Sequence, residues 1–114
     1  MPFIHSKVNV TVSKEQEAKI NEGLIDAASS CLGKPETWVM LQIEDGCRLY
    51  FRKDGESPAA YVEVALFGGE NKSAFNAFTG KATEVLSSVL GIPTDRIYVK
   101  YSPTGSWGYD GGNF

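Results

Sequence analysis

The chain repeats itself. Leu32-Gly33-Lys34-Pro35 is echoed by Leu90-Gly91-Ile92-Pro93, an offset of 58 residues taken from Pro35 to Pro93. The echo extends in both directions: Val39, Leu41 and Ile43 superpose on Ile97, Val99 and Tyr101, and Phe3 and Ile4 superpose on Tyr61 and Val62. A repeat that runs through strand, helix and strand constrains the fold to two βαβ units. Parallel strands joined through a helix take right-handed crossovers, so both helices are predicted on one face of a four-stranded mixed sheet. With 114 residues, 42% of them hydrophobic, the chain is sized for one domain over residues 1–114.

Local signals support each unit. Ser13 and Gln16 form an S-x-x-Q capping box, and Ile20, Leu24, Ala28 and Cys31 recur at three- and four-residue steps. In the second helix the stripe is Phe75, Phe78, Ala82, Val85, Leu86 and Val89. Gly33-Lys34-Pro35 and Gly91-Ile92-Pro93 end the two helices, glycine accepting a left-handed cap and proline barring continuation. Alternation and β-branched enrichment predict strands over 3–12, 38–43, 61–67 and 96–101, with a shorter run at 49–51. Tyr61, Val62, Val64, Leu66, Ile97 and Val99 are expected to place apolar groups on both faces of the central strands. The face without helices would then be covered by other subunits.

Several function classes are disfavoured. A net charge of −3 without clustered Lys or Arg argues against nucleic acid as a partner, and no aromatic RNP1 pattern accompanies the duplicated βαβ units. No apolar run approaches the roughly 20 residues of a membrane helix, and no secretory signal is visible, so no membrane partner and a cytoplasmic protein are expected. Cys31 and Cys47 form no CxxC, and with His5 the single histidine they make no zinc set; both read as free thiols. Neither metal nor cofactor is expected.

Pro2 directly follows the initiator Met1. Removal of Met1 leaves a secondary amine at the chain end, and an α-amino group titrates near pH 8 against about 10.4 for lysine, within reach of work as a base. Lys34 reads either as a cation favoured by a helix C-terminus or as a partner for an anionic ligand. Tyr98 and Trp107 read either as packing aromatics or as pocket walls.

Taken together, Met1-Pro2 opening a strand, Leu32-Gly33-Lys34-Pro35 after the first helix, Pro93-Thr94-Asp95-Arg96-Ile97-Tyr98 before the last long strand, and the Gly- and Trp-containing tail ending Asn113-Phe114 resemble the macrophage migration inhibitory factor family of the tautomerase superfamily. The resemblance covers essentially the whole chain. It implies a homotrimer whose sheets form a central barrel with pockets at the subunit boundaries. It also implies cofactor-independent keto–enol tautomerisation of phenylpyruvate-like aromatic α-keto acids and dopachrome analogues. By position, Pro2 resembles the family's N-terminal base, Lys34 its substrate-carboxylate lysine, and Tyr98 the tyrosine of the neighbouring subunit. Phe67 stands where the family usually has an isoleucine. Lys100 replaces an asparagine of mammalian members, and Trp107 and Tyr109 match pocket-lining positions only approximately because the tail is shorter. The mammalian CxxC corresponds to Ala59-Ala60-Tyr61-Val62, so no thiol–disulfide function is expected. Cytokine-like engagement of a protein receptor is the alternative role implied, and family members can be secreted without a signal peptide.

Overall fold

A computed structural model describes residues 1–114. Strand β1 (Pro2–Val8) leads into helix α1 (Lys14–Leu32), then strand β2 (Met40–Glu44); strand β3 (Ala60–Phe67), helix α2 (Lys72–Leu90) and strand β4 (Ile97–Thr104) repeat the pattern. The sheet order is β2-β1-β3-β4. β1 runs parallel to β2 and β3 parallel to β4, while β1 and β3 meet antiparallel, so the two βαβ units are joined through their first strands.

The helix ends follow the sequence signals. The Ser13 hydroxyl accepts from the Gln16 amide, and the Gln16 side chain accepts from the Ser13 amide, a reciprocal capping box. Gly33 and Gly91 close the helices in the left-handed region, at φ 64° and 71°. Asn71, which no sequence signal singled out, caps α2 by accepting from the Ala74 amide. The core is built from Ile20, Leu24 and Ala28 of α1, Phe78, Ala82 and Leu86 of α2, and Ile4, Val62 and Val64 of the sheet.

Three expectations are corrected. β1 ends at Val8, not residue 12, where the Asn9 side chain bonds the segment leading into β3: its amide donates to the Ser57 carbonyl and its oxygen accepts from the Ala59 amide. Val10 and Val12 still pack against the core edge. Residues 49–51 form no strand; Phe51 and Asp54 bridge each other around Arg52 and Lys53, both at positive φ, which turns the chain back immediately. Finally, Val62, Val64 and Leu66 all face the helices, and Ile97 and Val99 pack against the same core. The face without helices carries Phe3, His5, Tyr61, Glu63 and Lys100, a mixture of aromatic and charged groups and not a continuous apolar surface.

The tail adds a hairpin, β5 (Gly108–Tyr109) with β6 (Gly112–Asn113). Asp110-Gly111 supplies its turn with both residues at positive φ, as a two-residue hairpin of this kind requires. No helix is long and apolar enough to cross a membrane.

Candidate active site at the chain terminus

Pro2 begins β1 with its side chain fully buried, paired with Leu66 of β3. Beside it lies a cleft of about 250 Å³, whose walls include Trp38, Met40, Trp107 and Tyr109. Trp107 therefore lies on the cleft that Pro2 enters. Phe67 ends β3 and is held through its main chain. Its amide donates to the Met1 carbonyl at 3.4 Å, and its carbonyl accepts from the Lys34 ammonium at 3.0 Å. One peptide segment thus ties the chain terminus to the lysine that follows α1. Lys34 keeps two further N–H donors after this bond.

The electrostatics follow from this arrangement. The terminal ammonium, carried in this structure by Met1, is pulled below the ordinary α-amino range, first by burial and second by the positive charge of Lys34. Removing Met1 would move the amine to Pro2, whose side chain is buried.

Aromatic residues encircle this end of the sheet. Trp38 meets Tyr109 edge-on at 4.8 Å, Tyr109 stacks on Phe114 at 6.3 Å, and Phe114 packs on the Phe67 ring at 5.7 Å. The Phe114 amide donates to the Trp107 carbonyl and closes the tail onto the cleft. Trp38 and Phe114 were missed from the sequence. The aromatic density of the tail was the available signal for Phe114, whereas nothing in the sequence distinguishes Trp38 from a core tryptophan.

Tyr98 and Lys100 lie elsewhere. Tyr98 pairs with Tyr61 on β3, five positions from Leu66, the partner of Pro2. Five strand steps span roughly 17 Å, beyond the reach of a tyrosine ring. Lys100 stands opposite Glu63 in the middle of the uncovered face. Within one protomer, therefore, Pro2 and Trp107 line one cleft, Lys34 and Phe67 line a second cavity of about 190 Å³, and Tyr98 and Lys100 line neither. His5 is satisfied by Glu44 at 2.9 Å on the uncovered face.

The region around Tyr98 has its own apolar cavity of about 130 Å³, lined by Leu49, Tyr50, Phe51, Tyr61 and Tyr98 with the buried Arg96. No group of three or more His, Cys, Asp or Glu side chains is placed to hold a metal ion.

The family model for macrophage migration inhibitory factor (MIF) matches residues 1–114. A macrophage migration inhibitory factor homologue of Trichuris trichiura is 32% identical over 85 residues, covering 73% of this chain and 74% of that protein. The D-dopachrome decarboxylase of Mus musculus is 28% identical over 108 residues, covering 94% and 90%. The crystal structure of MIF2 from Leishmania major superposes with a TM-score of 0.94 at 32% identity, over 100% of this chain and 97% of that one. A family model that spans the whole chain, on a duplicated βαβ sheet that opens at Met1-Pro2, places this protein in the macrophage migration inhibitory factor family.

Proposed function

We propose that the protein is a cofactor-independent keto–enol tautomerase of phenylpyruvate-like α-keto acids, with Pro2 as its base once Met1 is removed. The observation that carries this reading is the terminal amine, lowered by burial and by Lys34, at a cleft whose walls include Pro2 and Trp107. A base that is neutral near neutral pH can take the proton from the carbon next to the ketone. That carbon's electron pair then becomes the enol double bond and the carbonyl oxygen takes up a proton. Return of the proton from Pro2 to carbon reverses the reaction. A positioned base of this kind contributes about 10²- to 10⁴-fold.

Lys34 supports the same reading. Its two remaining donors can meet the substrate carboxylate while the bond to Phe67 fixes the side chain, and its charge favours the oxygen on which negative charge develops. Trp38, Trp107 and Tyr109 offer flat apolar walls suited to an aromatic ring. The relative named D-dopachrome decarboxylase supports dopachrome analogues as a second substrate class.

The complete site is assigned to a homotrimer, with Tyr98 and Lys100 entering the Pro2 cleft of an adjacent copy. Their distance from Pro2 within one protomer favours this arrangement. The test is phenylpyruvate tautomerisation by protein whose intact mass confirms loss of Met1, beside Pro2→Gly. Collapse of turnover in the variant supports Pro2 as the base. Absence of turnover in correctly processed wild type overturns the enzymatic reading.

A further inference from the structure

We infer that Arg96 is a positioning residue that sets the Tyr98 ring through Phe51, so that one side chain governs how each copy presents Tyr98 to its neighbour. The inference rests on the reading that Tyr98 completes an adjacent site. Arg96 ends the short turn Thr94–Arg96 before β4 and is 9% exposed. Its guanidinium donates to four carbonyls of one loop: Nε to Pro58 at 2.9 Å, Nη1 to Phe51 at 3.1 Å, and Nη2 to Asp54 at 3.0 Å and Ser57 at 3.1 Å. The Asp54 carboxylate stands 3.8 Å away and balances the buried charge.

The loop is also held by the Asp54 carboxylate, which accepts from Glu56 and Ser57, by Asn9 at Ser57 and Ala59, and by the Arg52–Asp95 pair, but Arg96 alone of these groups reaches Phe51, Asp54, Ser57 and Pro58 together. Arg52 and Lys53 both sit at positive φ without being glycine, a conformation that needs outside support. Arg96 supplies that support from within. The same guanidinium lies 5.6 Å from the Phe51 ring centroid, and Phe51 meets Tyr98 edge-on at 5.0 Å and 77°. Tyr98 itself is 61% exposed on edge strand β4, so the Phe51 edge is the aromatic contact that fixes its ring within the protomer. The planar five-donor fork of arginine serves carbonyls at four points of a loop, whereas the compact ammonium of lysine presents three donors from one point.

The experiment compares Arg96→Lys, Phe51→Leu, Tyr98→Ala and the double variant Arg96→Lys/Tyr98→Ala, all Met1-free and checked by circular dichroism and light scattering. Phe51→Leu leaves the arginine bonds intact and covers the case in which Arg96→Lys does not fold. Tyr98→Ala is expected to raise KM for phenylpyruvate by roughly tenfold with kcat little changed, the pattern of lost binding. Arg96→Lys and Phe51→Leu are expected to share that pattern, and Tyr98→Ala is expected to add little to Arg96→Lys, as residues acting in one chain are not additive. Hydrogen exchange of the 51–58 amides should quicken in Arg96→Lys. Quickened exchange with unchanged KM, or KM effects that multiply in the double variant, would overturn the inference and leave Arg96 as a loop fastener. If Phe51→Leu also keeps the wild-type KM while Tyr98→Ala does not, the relay through Phe51 is wrong. An unaltered KM in Tyr98→Ala, or an inactive wild type, instead removes the reading beneath it.

Discussion

At the scale of single residues the functional argument turns on two cations and one carboxylate. Lys34 lowers the terminal amine's affinity for a proton, so Lys34→Met is expected to move the acidic limb of the kcat/KM–pH profile, where the base loses its proton, to higher pH, by part of the shift only because burial remains. The same change removes a carboxylate partner, and a KM increase of roughly tenfold or more should accompany it. A profile that stays in place while KM rises would show that Lys34 binds substrate without tuning the base. Asp54 carries the opposite sign. The Ser57 hydroxyl and amide, the Glu56 amide and Arg96 hold its carboxyl at about 2 against an ordinary 3.8. A folded-state pKa that is lowered contributes stability above pH 3.8 and loses it as pH falls through about 2. The Tm difference between wild type and Asp54→Asn is therefore expected to be level near neutrality and to shrink between pH 4 and pH 2; a gap independent of pH would contradict this. Pro2 and Lys34 could be singled out in the sequence, one by its place behind Met1 and the other by its charge after the first helix. The main chain of Phe67, which bonds both Met1 and Lys34, could not be singled out, since a peptide's donor and acceptor look alike at every position.

Secondary-structure elements were legible where periodicity and caps agreed. The α1 and α2 stripes, the capping box and both glycine stops all stand where the spacing puts them. Strand limits were less legible, since long-range side-chain bonds stand there: β1 ends where Asn9 binds residues nearly 50 positions away. Helix packing supplies a test of two glycines. A Cβ on Gly23 would come 2.7 Å from Val85 Cγ2, whereas a Cβ on Gly80 meets nothing within 4 Å. Gly80→Ala is expected to stabilise by about 0.5–1 kcal/mol through helix propensity alone. Gly23→Ala gains the same propensity but must push apart the α1–α2 contact, an overpacking cost of about 1–3 kcal/mol that gives net destabilisation. Urea denaturation of both variants checks the contrast. In a Val85→Ala background Gly23→Ala should become neutral or stabilising, and a loss of stability there as well would place the cause outside this contact.

The whole molecule presents large exposed apolar side chains at two separate places, one around Trp38, Met40, Tyr109 and Phe114 beside the Pro2 cleft, the other around Tyr50 and Tyr98. The sequence suggested an apolar uncovered face; its middle holds His5, Glu63 and Lys100, and the apolar groups on it stand toward its two ends. Two unlike patches suit head-to-tail contacts, which close into a ring when the rotation permits. Shared sites can then be tested by complementation. Pro2→Gly destroys the base in its own copy and leaves Tyr98 intact; Tyr98→Ala does the reverse. In a three-membered ring containing both kinds of subunit, one boundary joins an intact Pro2 to an intact Tyr98, so about one third of the sites are restored. Coexpressed and purified mixed trimers are expected to regain activity at low phenylpyruvate concentration, with wild-type KM in the recovered fraction. Sites built within single copies would contain no undamaged pairing, and the mixture would then perform no better than its two parents assayed apart.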